Sequence, residues 1–226
     1  LRALRGVGDQ EKKRKIIGEI FAKIFLEEAK KCGAEFFFQG TIYPDMIETR
    51  GKIKSHHNLH PLIKEYFGDN DALIEPLSHL YKDEVTVVGR ELGLPGYIVD
   101  RQPFPGPGLH IRVEGPVTAS KLEIARQADS IMNEELKHLS PEETPWQTIA
   151  FLSKSRTTGI KGDKRVVGYL VVIRGVDSKD AMSADFSKID YTILGRISKR
   201  LTSEIPKIAH VAYSITQKPP ATIEFA

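Results

Sequence analysis

The chain has 226 residues, 40% of them hydrophobic, enough for one large core or two smaller ones, and we read it as two. Its 33 basic and 30 acidic side chains leave a formal charge of +3, too small for a protein whose main task is to neutralise a nucleic-acid backbone, so no nucleic-acid partner is expected. A single cysteine, Cys32, excludes an internal disulfide framework and a Cys-rich metal site, and no apolar run approaches the roughly 20 residues that cross a bilayer, so no membrane partner and a cytoplasmic location are expected.

The amino end reads Leu-Arg-Ala-Leu-Arg-Gly-Val-Gly-Asp, without a starting methionine or a secretory apolar region, as in a processed piece or a fragment. Asp9 is placed to cap a helix whose apolar Ile16, Ile17, Ile20, Phe21, Ile24 and Phe25 fall at helical spacing. Gly33 is its stop, and Lys12, Lys13, Glu19, Lys23 and Glu27 form the solvated face. Residues 34–39 read as a buried strand, 41–64 as a loop with a turn of helix at 45–48, and Ile74 as the centre of a short strand. An amphipathic helix is predicted over 77–92, ending at Gly93. Strand, loop and helix in this alternation predict the carboxyl part of a parallel α/β sheet.

Residues 101–109, Arg-Gln-Pro-Phe-Pro-Gly-Pro-Gly-Leu, are stiff at some bonds and loose at others, and the domain boundary is placed there, between 1–100 and 101–226. Beyond it the pattern gives a helix over 118–139, a strand near 147–152, a loop over 156–165, a β-rich run over 166–176, a helix over 190–204 and a strand over 209–215. This order reads as a small α+β domain.

Several groups are candidates for chemistry. Asp45 and Glu48 lie three apart and share one face of a helical turn, where two carboxylates can hold a divalent cation, act as a base, or simply cap the helix. Lys52, Lys54, His56 and His57 can surround polyphosphate oxygens and neutralise charge on a leaving group, as a closing lid would. No His-x-Glu or paired Cys spacing completes a zinc site, so no metal ligand is assigned. Lys12, Lys13, Arg14 and Lys15 repel one another unless acids or an anion compensate, which leaves a phosphate site or a solvated helix face. The stretch from Gly159 to Arg165, with Asp163 inside it, offers an anion-binding concavity or a plain hairpin turn. Its Gly-x-x-Gly spacing is similar to the clamp of KH domains, but that clamp joins two helices and this stretch leads into a strand. Pro219-Pro220 beside Lys218 and Glu224 argue that the tail is docked, with Glu224 able to accept from purine N–H groups.

With these residues in view, the chain resembles the carboxyl-terminal part of the glutamine-hydrolysing GMP synthetases, ATP-dependent ligases that convert xanthosine monophosphate (XMP) to GMP. The resemblance runs through Glu11-Lys-Lys-Arg-Lys-Ile-Ile-Gly18, Gln39-Gly-Thr-Ile-Tyr-Pro-Asp45, Ile53-Lys-Ser-His-His-Asn58, Pro103-Phe-Pro-Gly-Pro-Gly-Leu109 and Lys218-Pro-Pro-Ala-Thr-Ile-Glu224. It implies the second half of a Rossmann-like ATP pyrophosphatase domain with a lid at 49–70, followed by a dimerisation domain that supplies much of the XMP site. It also implies ATP and Mg²⁺ as reactants, a homodimer, and a glutamine amidotransferase domain or subunit that delivers ammonia. By resemblance, Lys54, His56 and His57 belong to the lid, and Asp45 and Glu48 assist adenylylation. Arg14, Gln147, Asp163, Arg165, Lys218, Ile223 and Glu224 match positions that contact XMP. The family's Ser-Gly-Gly-x-Asp-Ser pyrophosphate loop is absent from the chain, so this piece is expected not to turn over alone. The Gly-Gly usual after His-His-Asn is replaced by Leu59-His60, and Ala226 stands where a final acid is usual. Two other readings are carried: a non-catalytic dimerisation or RNA-binding module, and an ATP pyrophosphatase ligase with another acceptor.

Overall fold

The first helix begins where the sequence places its cap. In the computed structural model, which describes residues 1–50 (the backbone alone at 48–50), 63, 66–67 and 72–225, Asp9 Oδ1 accepts from the Lys12 N–H at 2.8 Å and α1 runs over Gln10–Cys32. Gly33, at φ +64°, ends it in the left-handed conformation that a glycine tolerates without strain. The chain divides into two compact units, one made of 1–14, 102–178 and 183–226, the other of 15–101 and 179–182.

In the second of these units, β1 (Phe37–Phe38) pairs in parallel with β2 (Leu73–Ile74). Successive strand side chains point to opposite faces. Phe37 turns inward to pack with Ala22, Phe25, Ile63 and Phe67, while Phe36 and Phe38 are exposed. The buried strand expected at 34–39 is thus two paired residues with one covered face. The apolar stripe of α1 is only partly used for the same reason, and Ile20, Phe21 and Ile24 remain exposed. Helix α2 (Tyr43–Arg50) is longer than the turn expected at 45–48. Helix α3 (Lys82–Glu91) starts later than 77, because Glu84 accepts from the Tyr81 N–H at 2.7 Å and residues 75–80 close tight turns instead. It stops at Gly93 (φ +75°), and a short α4 (Gly96–Val99) follows.

The other unit is built on one sheet. After a 3-10 turn at Gly108–Arg112 comes α5 (Ala119–Leu136), capped by Thr118, whose Oγ1 accepts from the Lys121 N–H at 3.2 Å. Strands β3 (Gln147–Lys161) and β4 (Lys164–Asp177) form a long antiparallel hairpin. The loop expected at 156–165 is therefore the far end of this hairpin, turned by Gly162 (φ +59°) and Asp163. Along β4, β5 (Asp185–Phe186) pairs antiparallel and β6 (Ile208–Tyr213) pairs parallel. Between them lies α6 (Tyr191–Glu204), started by Asp190, whose Oδ1 accepts from the Thr192 N–H at 2.7 Å. Helix α5 packs on β3, α6 packs on β6, and the two helices touch. The core between helices and sheet includes Ile124, Met132, Leu152, Val171, Ile197 and Leu201. The chain is thus an α/β part with a small parallel sheet, and an α+β part whose sheet is mostly antiparallel. Among the described residues, no helix is long and apolar enough to cross a membrane.

Candidate functional site

Residues 218–225 are tied to the sheet. Lys218 bridges to Ala184 through two backbone hydrogen bonds of 2.8 and 3.0 Å, so the chain crosses beside β5 before it turns back. The Ile223 carbonyl then accepts from Arg174 Nε at 3.1 Å, and Arg174 Nη1 also donates to Ser214 Oγ at 3.1 Å. Glu224 follows: Oε1 accepts from Arg112 Nη2 at 2.9 Å and Gln147 Nε2 at 3.0 Å, and Oε2 accepts from Arg112 Nε at 3.3 Å. Phe225 stacks on Phe151 at 4.6 Å between ring centroids.

Both arginines are buried, Arg112 at 2% exposure and Arg174 at 1%. A buried guanidinium persists only when its charge and donors are met. Arg112 meets that condition with two carboxylates, since its Nη1 donates to Asp129 Oδ1 on α5 at 2.8 Å, and its guanidinium lies over the Phe104 ring at 5.0 Å. Asn133 holds the other Asp129 oxygen at 3.1 Å. Burial pushes the Asp129 carboxyl above its ordinary range, and the adjacent Arg112 charge opposes that shift. Gln147 is buried at the start of β3; next to it Thr148 donates through its N–H (3.1 Å) and hydroxyl (3.0 Å) to Gln102 Oε1.

Gln147, Ile223 and Glu224, expected at one site, therefore meet at one end of the hairpin. Arg112 and Arg174, which join them, were not expected. Arg174 had a signal, a cation inside the apolar run from Leu170 to Val176, where a buried guanidinium needs hydrogen-bond acceptors. Arg112 had none beyond its place after the Pro-Gly run. Asp163 and Arg165 stand elsewhere, exposed at the hairpin turn. Eleven residue steps of β4 separate Arg165 from Val176, the register partner of Gln147, roughly 36 Å at the usual strand rise. Near that turn Lys161 Nζ donates to the Thr202 and Pro206 carbonyls at 2.6 and 3.0 Å, capping the end of α6.

In the other unit, Asp45 Oδ2 accepts from the Ile42 N–H at 3.1 Å, so its carboxylate caps α2. Glu48 lies on α2, where only its backbone is described; Lys54, His56 and His57, with nearly all of the 49–70 lid, lie outside the described residues. Among the described residues, no three His, Cys, Asp or Glu side chains are grouped to hold a metal ion. Arg14 is half-buried on α1. The solvated role expected for Lys13 is wrong: its side chain is fully buried, and Nζ donates to the Val113 carbonyl at 2.6 Å and the His110 carbonyl at 3.5 Å. Burial, with a smaller contribution from the Lys121 charge, pushes this amine down to about 8. One of the four cations thus anchors the first turn of α1 to the turn at Gly108–Arg112.

Residues 134–225 match the family described as the GMP synthase C terminal domain. The chain is 50% identical to a glutamine-hydrolyzing GMP synthase subunit of Methanothermobacter thermautotrophicus, the match covering all of this chain and 72% of that protein. It is 52% identical to the protein of the same name from Methanocaldococcus jannaschii, over all of this chain and 71% of that one. Against the longer glutamine-hydrolyzing GMP synthase of Caldanaerobacter subterraneus subsp. tengcongensis it is 50% identical, over all of this chain and 44% of that protein.

Proposed function

The chain belongs to the GMP synthase family, and from that premise we propose that it carries the acceptor side of ATP-dependent GMP synthesis, binding XMP where Gln147, Ile223 and Glu224 converge. The supporting observation is the docked tail. Glu224 is held by three hydrogen bonds from the buried Arg112 and Gln147. A carboxylate fixed in a half-buried place is suited to read the N–H groups of a purine. In the reaction proposed, the XMP carbonyl oxygen attacks the ATP α-phosphate and pyrophosphate leaves. Ammonia from a glutamine amidotransferase partner then displaces AMP to give GMP. Asp45, Glu48, Lys54, His56 and His57 are assigned to ATP by family resemblance alone. The Asp45 carboxylate accepts from the Ile42 N–H at the start of its own helix, and a Mg²⁺ ion travelling with ATP would be held mainly by the phosphates.

A homodimer follows from the same assignments. Asp163 and Arg165 cannot reach the XMP held by Glu224 of their own chain across roughly 36 Å, so the hairpin turn of a second copy would have to supply them. Exposed Ile160 (80%) and Val167 (57%) near that turn offer apolar surface for such a contact. The RNA-binding reading loses ground, since the Gly159 to Gly162 stretch ends a β-hairpin and joins no helices.

Calorimetric titration tests the proposal. XMP is expected to bind at micromolar to millimolar Kd, and substitution of Lys218 or Glu224 to weaken XMP more than ATP. Absence of XMP binding at millimolar ligand, or the reverse ranking, would overturn it.

A further inference from the structure

The hydrogen bonds on Glu224 leave a definite remainder. A carboxylate offers about four lone-pair positions. Oε1 uses both of its own, on Arg112 Nη2 and Gln147 Nε2, and Oε2 uses one, on Arg112 Nε. One lone pair of Oε2 is left, on a side chain that keeps 13% of its surface exposed while the Arg112 side chain keeps 2%. A planar guanidinium that grips a carboxylate through two N–H groups fixes the carboxylate's plane as well as its place. Arg112 is fixed in turn, by Asp129 on Nη1 and by the Phe104 ring beneath it. The remaining acceptor therefore has a set direction.

Resting on the XMP reading above, we infer that Arg112 is a positioning residue for the acceptor nucleotide: backed by Asp129, it orients the Glu224 carboxylate so that the last lone pair of Oε2 accepts a ring N–H of the purine. Arg112 itself is too deeply covered to touch the base. Its task depends on the fork, which lysine lacks, so charge alone does not replace it. The tail has other anchors, at Arg174, Phe151 and Ala184. Losing the fork should misdirect Glu224 without releasing residues 218–225.

The test is an XMP titration followed by the fluorescence of Trp146, the chain's only tryptophan and the neighbour of Gln147. It is run on the wild type, Arg112→Lys, Glu224→Gln and the double variant, with hydrogen exchange read at residues 218–225. Each single change is expected to weaken XMP by about tenfold or more. The double variant is expected to be no weaker than the worse single one, because the two side chains act as one unit. Tail amides should stay protected in Arg112→Lys, which separates positioning from a general loosening of the terminus. Wild-type affinity in Arg112→Lys, additive losses, or a tail that exchanges freely would each overturn the inference. Should Arg112→Lys not fold, Asp129→Asn removes only the backing charge and is expected to weaken XMP by about fivefold; unchanged affinity there overturns the inference equally. A wild type that does not bind XMP overturns the proposed function and this inference together. Binding by the wild type beside an indifferent Arg112→Lys overturns this inference alone.

Discussion

A lysine without any exposed surface sets the clearest pH dependence in the molecule. Lys13 titrates at about 8 in the folded chain against an ordinary 10.5, so between those values the unfolded chain binds more protons than the folded one. Unfolding free energy then rises with pH across that window, by at most about 3 kcal/mol if the whole shift is expressed. The penalty for burying the charged amine is fully present below pH 8 and is relieved as pH climbs through 8 towards 10.5. Tyr213 acts in the opposite sense higher up. Burial pushes its hydroxyl to about 12, so above pH 10 the unfolded tyrosine ionises first and stability falls. Urea unfolding from pH 7 to 11 should show a maximum near pH 10, and Lys13→Met should remove the rise below it. At pH 7 the same variant should stay within about 1 kcal/mol of the wild type. It sheds the buried charge, while Val113 keeps one acceptor contact from Gln10 at 3.3 Å.

The elements that were legible in the sequence are those ended by local chemistry. Asp9, Thr118 and Asp190 were visible as starts of helices and each caps one, and Gly33 and Gly93 end helices at positive φ. Glu224 could be picked out because a stiff Pro219-Pro220 pair stands between it and Lys218 in the sequence. What was not legible depends on distant partners. The hairpin turn at Gly159 to Arg165 is one of two readings open there, but the length of β3 and β4 comes from their mutual register, and the burial of Lys13 comes from carbonyls about 100 residues away. Gly168 is another such case, unremarkable in sequence yet required where β6 joins β4. A Cβ there would lie 2.7 Å from the Ala209 nitrogen and 2.9 Å from the Lys207 carbonyl oxygen, both backbone atoms that cannot swing aside. Gly168→Ala is therefore expected to destabilise by about 3 kcal/mol, lowering the thermal midpoint of the sheet. Ala at Gly6 or Gly33 meets no neighbour within 4 Å, and there only the positive φ opposes it.

Among the described residues, the two units differ in how much they bury. The unit that holds the candidate site has seventeen buried residues in one core, from Val113 to Ile208, whereas the described core of the other consists of Ala22, Phe37 and Ile63 with partly covered neighbours. Burial of apolar surface is the main source of stability, so the unit formed by 15–101 should unfold first. Calorimetry is expected to resolve two transitions, with amides of 15–50 and 72–101 exchanging in the lower one. The function proposed adds a sharper requirement, because Gln147, Ile223 and Glu224 all belong to the better-packed unit. XMP at about 100 times its Kd should stabilise that unit by about 2.7 kcal/mol and leave the lower transition where it is. For a unit of this size the upper midpoint should rise by roughly 10 °C. A shift confined to the lower transition would place the nucleotide with α2 and β1 instead, and would remove Glu224 from the site.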